Sequence, residues 1–218
     1  MMTTNKLTKT FASGSLAIGV LAGSVLAATS ASAMVMTSWG VFKNGDTIPE
    51  GDKQVTFQSG GEGISDSTMV AFGDLGNGEY QFSLMGMVAA ATDFTYKIEI
   101  LPTFPNNYFT GVQLDSDVNV NLANGGYGNI TKEVIWTGGS VLLTSINGDP
   151  APSATFAFIP GELTTLTVTD TLNPNFGGVL TSLSNKFRQG TAVPEPGTIL
   201  GLLAVGGLGL VSRFNKQK

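Results

Sequence analysis

Apolar and polar residues alternate along much of the middle of this chain. Gln81 and Ser83 separate Tyr80, Phe82 and Leu84; Thr95, Lys97 and Glu99 separate Phe94, Tyr96, Ile98 and Ile100; Thr167 separates Leu166 and Val168; Phe156 and Phe158 share one parity. A period of two places one set of side chains on a buried face and the other in water, which is the signature of strands in a half-wet sheet. Further strands are predicted over residues 54–58, 68–72, 109–114, 118–122, 130–137, 141–146 and 180–187, with 182–188 also compatible with a short helix. Turn-forming runs punctuate them: Asn44-Gly45-Asp46, Gly60-Gly61-Glu62-Gly63, Gly76-Asn77-Gly78, Asn124-Gly125-Gly126, Asn147-Gly148-Asp149 and Pro160-Gly161. No convincing amphipathic helix interrupts the series, and no fixed repeat marks a solenoid. About nine to eleven short strands at this spacing predict an all-β central domain, a β-sandwich or jelly roll.

Both ends break the alternation. Lys6 and Lys9 precede an uncharged stretch from Phe11 to Ala28, and Ala31 and Ala33 supply the small residues of a cleavage site. This reads as a secretory signal peptide, helical in its apolar part and cut after Ala33. At the other end Val193-Pro194-Glu195-Pro196-Gly197 leads into fourteen uncharged residues, Thr198 to Val211, followed by Arg213, Lys216 and Lys218. As a helix that run is roughly 21 Å long, short against a hydrocarbon core of about 30 Å but enough to hold a chain in transit. The basic residues after it would stay on the cytoplasmic side, and the two prolines keep the preceding segment extended and open to a processing enzyme. The expected organisation is therefore a signal peptide over 1–33, a secreted domain over 34–190 and a tail with a transmembrane helix over 191–218.

The tail closely resembles the PEP-CTERM sorting signal, in which a Pro-Glu-Pro motif, an apolar helix and a basic end occur together. The resemblance implies a bacterium with an outer membrane and an exosortase that cuts near Pro194–Pro196. It also implies export through the inner membrane, with membrane attachment before processing and a cell-surface or extracellular destination after it. Similar tails are also known as an ice-binding protein carboxy-terminal domain. Many proteins with this signal serve the extracellular matrix, so the implied partners are signal peptidase, exosortase and an extracellular polysaccharide.

Composition narrows the chemistry. The chain has no Cys and no His, which removes disulfides, Ser-His-Asp and Cys-His catalysis and standard zinc or copper sites. Between the two end segments stand six basic residues, Lys43, Lys53, Lys97, Lys132, Lys186 and Arg188, against fifteen acidic ones, a net charge of −9. That balance opposes nucleic-acid binding, which needs a basic footprint.

Three groups of residues are candidates for function. Asp115, Asp117, Asn119 and Asn121 offer oxygen ligands of the kind calcium takes. Their spacing does not fit an EF-hand, and on one strand they spread over roughly 20 Å, so the alternative is a solvated strand face. Tyr108, Tyr127 and Trp136 lie near Asn- and Gly-rich loops and are candidates for stacking on sugar rings, the alternative being core and edge packing. Thr165, Thr167, Thr169 and Thr171 form a Thr-x-Thr row of the sort that ice-binding β-proteins present, although Thr is also a common strand residue. For a carboxylate-based glycosidase or lyase, Glu62 with Asp66, Asp74 with Glu79, and Asp115 with Asp117 are the available pairs. The expectation is a non-enzymatic, cofactor-free surface or matrix protein that is adhesive or polysaccharide-binding. The alternatives are a secreted glycosidase or lyase and a calcium-dependent binding module.

Overall fold

The computed structural model describes residues 34–192, apart from 120–122, 124–125, 147–148 and 152–155, and describes 149–151 by backbone alone. The expected signal-peptide and tail helices, with Ala31, Ala33, Val193, Pro194, Glu195, Pro196 and Arg213, lie outside the described residues. Among the described residues no helix is long and apolar enough to cross a membrane.

Among the described residues, thirteen strands form two antiparallel sheets. The first runs, in spatial order, β1 (Val35–Ser38), β4 (Met69–Gly76), β5 (Glu79–Val88), β13 (Val179–Thr191), β7 (Asn107–Asn119) and β11 (Ala157–Leu163). The second runs β10 (Asp149–Ala151), β9 (Gly139–Ile146), β8 (Asn129–Trp136), β12 (Thr165–Leu172), β6 (Thr92–Ile100), β3 (Lys53–Gly60) and β2 (Thr47–Glu50). The fold is all-β, as the alternation predicts.

Several details differ from the sequence expectation. Residues 109–114 and 118–119 do not form separate strands, because β7 continues through Asp115–Asp117, and the rest of the expected 118–122 strand lies outside the described residues. Leu114 and Ser116 are both buried along it, and the Ser116 and Ser145 hydroxyls meet at 2.7 Å. Residues 182–188 belong wholly to β13, which pairs with β5 on one side and β7 on the other. A short helix, α1 (Trp39–Lys43), does occur; Ser38 caps it by accepting from Val41 N–H, and it buries Trp39 and Phe42.

The alternating rings of β5 and β6 predicted to face inward do so, but Phe158 of β11 is exposed and Ile159 takes the inward position instead. Phe82 of the first sheet stacks on Tyr96 of the second with centroids 4.4 Å apart, and it also meets Phe94 and Phe42. Burying each such side chain contributes about 1.5–3 kcal/mol, so this aromatic layer is a main link between the sheets. A second link is polar. Lys53, fully buried at the start of β3, places Nζ 2.6 Å from Asp52 Oδ1, over the Tyr80 ring at 3.4 Å, and also donates to Gln189. Tyr80 Oη donates to Asp52 Oδ1 and Asn107 Nδ2 to Asp52 Oδ2. Both Asp52 oxygens are thereby satisfied, which is what makes a buried ion pair tolerable.

Candidate functional site

The predicted metal-ligand run does not converge. Asp115 is half-buried, and Asp117 and Asn119 are exposed, at alternate positions of β7. Asp117 Oδ2 accepts from Ser182 Oγ at 2.7 Å on the neighbouring strand, and its main-chain oxygen accepts from Thr181. Among the described residues no three carboxylates gather to hold an ion.

The three candidate aromatics fall in different places. Tyr127 is buried against Gly178, where an added Cβ would approach its ring to 3.1 Å. Burial pushes its hydroxyl up to about 12. Trp136 is half-buried at the end of β8, packed against the core and beside Gly139. Tyr108 is half-buried near the start of β7, next to Gly190. They share no surface: Tyr127 packs inside, and the other two sit at the ends of strands in different sheets. In the Thr row, the odd positions of β12 point away from the core, and Thr169 Oγ1 meets Thr95 Oγ1 at 2.9 Å across the strand pair.

Members of the carboxylate pairs are engaged by other groups. Glu79 is bound to Arg188 at 2.6 Å, Asp74 accepts from the Gly76 N–H in the β4–β5 turn, and Asp66 is bound to Lys43 at 2.5 Å.

A concave site forms where the alternation signals none. Lys43, Asn44, Phe57, Gly60, Gly61 and Glu62 line a cleft of about 270 Å³. Its geometry follows from two local structures. On one side α1 ends at Asn44, whose Nδ2 donates back to Gly40 O at 2.7 Å and holds the helix end in place. On the other, β3 ends at Gly60 and Gly61 follows it, both at positive φ. Only glycine fits at Gly61, where a Cβ would lie 2.1 Å from Trp39 Cζ2. The Gly61 N–H is fixed by Asp93 O at 2.6 Å. Trp39, pressed against this turn, meets Phe57 edge-on at 5.6 Å, and Phe42 meets it at 5.8 Å. The result is a half-buried aromatic ring, held by two buried ones, in a cleft with an ammonium, an amide and a carboxylate. Such a combination offers one apolar face and several hydrogen-bonding groups to a small polar ligand. The sequence signal was the Gly-Gly pair directly after an aromatic strand end; the contribution of Lys43 and Asn44 depends on α1, which the alternation does not reveal.

Comparison with curated proteins finds no match for the chain. A family match lies beyond the sandwich, starting at the residue after β13 ends at Thr191. Residues 192–216 match the PEP-CTERM protein-sorting motif, and the chain thus carries the signal of exported proteins that an exosortase sorts to the surface or the extracellular space.

Proposed function

We propose that the sandwich is a non-enzymatic structural and binding module of the cell surface or extracellular matrix, and that its ligand is an extracellular polysaccharide. The sorting motif over 192–216 carries this reading, because it sets the compartment in which the domain works. The way the tail joins the fold supports it. The motif follows directly on β13, an inner strand hydrogen-bonded to neighbours on both sides. A tether at that end draws on a strand embedded in the sheet rather than on an edge that could peel away. The cleft at Phe57 supports the ligand class: a sugar presents an apolar ring face to stack on an aromatic and hydroxyls to pair with Lys43, Asn44 and Glu62.

The test is co-sedimentation of the purified protein with extracellular polysaccharide from its host, beside a variant with Asn44→Ala and Glu62→Ala. Saturable binding that falls at least tenfold in the variant supports the reading. Equal retention of both proteins, or of neither, refutes the cleft as the contact.

A further inference from the structure

The interior holds a second polar group, unlike the satisfied Asp52–Lys53 network. Lys132, Asp170 and Asn185 are all fully buried between the sheets. Each interrupts an inward apolar row: Lys132 stands between Ile130 and Val134, Asp170 between Val168 and Leu172, Asn185 between Leu183 and Phe187. Lys132 and Asp170 are direct cross-strand partners of β8 and β12. Asn185 reaches them from β13 in the opposite sheet, its Nδ2 lying 2.5 Å from Asp170 Oδ2 and 2.8 Å from Tyr96 Oη. Lys132 Nζ sits 4.2 Å from the centroid of the Phe187 ring and donates to Gln113 O. Phe187 is the next inward residue after Asn185, and Gln113 pairs with Lys186. Nζ therefore lies beside the inward position that follows Asn185 on β13.

Two buried oxygens in this group, Asp170 Oδ1 and Asn185 Oδ1, have no hydrogen-bond partner among the described residues. An orphaned buried oxygen is costly and asks for an explanation. With a proton on Asp170, the Asn185 amide can be turned end for end, which exchanges its oxygen and nitrogen without moving other atoms and makes the nitrogen the unpartnered end. Asn185 Oδ1 then accepts from both the Asp170 carboxyl and the Tyr96 hydroxyl. A carbonyl held by two donors in a buried site is polarised for attack at carbon, and Lys132 supplies a buried amine against the neighbouring Phe187.

We propose that Lys132 and Asn185 form an intramolecular isopeptide bond, with Asp170 as the general acid–base that promotes it. Nζ of neutral Lys132 attacks Cγ of Asn185. The Nζ–Cγ bond forms, the Cγ–Nδ2 bond breaks, and Asp170 relays a proton from the lysine amine to the departing nitrogen, which leaves as ammonia. Atoms and charge balance without an oxidant, a metal or a nucleotide. Protonation is favourable for the step. Burial lowers the Lys132 pKa against the pull of the Asp170 charge, and it raises the Asp170 pKa against the pull of Lys132 and the Asn185 hydrogen bond. Burial also raises the Tyr96 hydroxyl, keeping it a donor. A proton passed from lysine to carboxyl makes the nucleophile and the acid together. The bond joins β8 to β13, sheet to sheet, on the strand that runs into the sorting tail. It gives a chain without cysteine a covalent brace where a tether would pull.

The test is the intact mass of the full chain, purified and denatured, with its ends located by peptide mapping and the digest searched for branched peptides. The expected mass is lower than that of the mapped sequence by one ammonia, with a branched peptide joining Lys132 to Asn185. Asp170→Asn should restore the full mass and abolish the branched peptide while retaining the β circular dichroism of the parent. Should that variant not fold, the parent's branched peptide alone decides the matter. An unlinked mass overturns the proposal. So does loss of water, which would join Lys132 to Asp170, and so does loss of ammonia without a branch, which would be a cyclised asparagine.

Discussion

Replacing Phe82 by alanine tests whether the aromatic layer joins the two sheets. The ring is fully buried on β5 and meets Tyr96 at 4.4 Å, Phe42 at 5.7 Å and Phe94 at 6.5 Å. Truncating a buried Phe costs about 3–5 kcal/mol, from lost transfer energy and the cavity left behind. Three lost ring contacts and rigid β neighbours place Phe82→Ala in the upper part of that range, about 4 kcal/mol. Phe82→Leu keeps most of the volume but loses the ring pairing, worth about 0.5–1.5 kcal/mol per pair, and should cost about 2 kcal/mol. The assay is equilibrium urea unfolding followed by tryptophan fluorescence, to which Trp39, 5.2 Å from Phe94, and Trp136 both contribute. With m about 2 kcal/mol/M, Phe82→Ala should lower the midpoint by about 2 M and Phe82→Leu by about 1 M, with m unchanged. A loss under about 1 kcal/mol for Phe82→Ala would mean that Phe82 does not bridge the sheets.

Other perturbations separate the remaining parts of the account. Asp52→Ala leaves the buried Lys53 without its carboxylate and should cost about 3–5 kcal/mol in the same unfolding assay. Burial raises the pKa of Asp52, but hydrogen bonds from Lys53, Asn107 and Tyr80, with the Lys53 charge, outweigh it and leave the pKa below the ordinary 3.8. Its stabilisation is therefore complete above that value and is lost as pH falls through the lower folded one; a parent protein whose urea midpoint does not drop in that acid range would contradict this. Gly61→Ala places a Cβ against Trp39 at a φ of +79° and should cost at least about 2 kcal/mol, read as a lower melting temperature. Pro194→Ala with Glu195→Ala should leave the chain uncut in the cell envelope, read by immunoblotting of membrane and medium fractions.

Where alternation was strict, the sequence was a good guide. β5, β6 and β12 lie where their apolar parity puts them, because period two has only one way to bury a face. The reading failed where a polar residue occupied an inward position. Asp115-Ser116-Asp117 reads as a break between strands, yet Ser116 is buried with Ser145 as its partner, and β7 carries on. Lys132, Asp170 and Asn185 are invisible as a group for the same reason. Each breaks an apolar row, they lie far apart in sequence, and only the pairing of β8 with β12 and the facing of the two sheets bring them together. α1 is too short for a helical period to show, and with it went notice of the cleft it helps to build. The tail is the reverse case, since its meaning depends on a linear pattern that an enzyme reads, and the family match falls where that pattern does.

The most direct test of the central claim is the intact mass of the protein recovered from the culture medium and from the cell envelope of its host. The extracellular protein is expected to begin at Met34 and end near Pro194–Pro196, the apolar run and Arg213 having been removed. A protein found only in the membrane and still ending in Lys218 would contradict it, because the sorting motif would then be a plain anchor and the sandwich would work at the inner membrane.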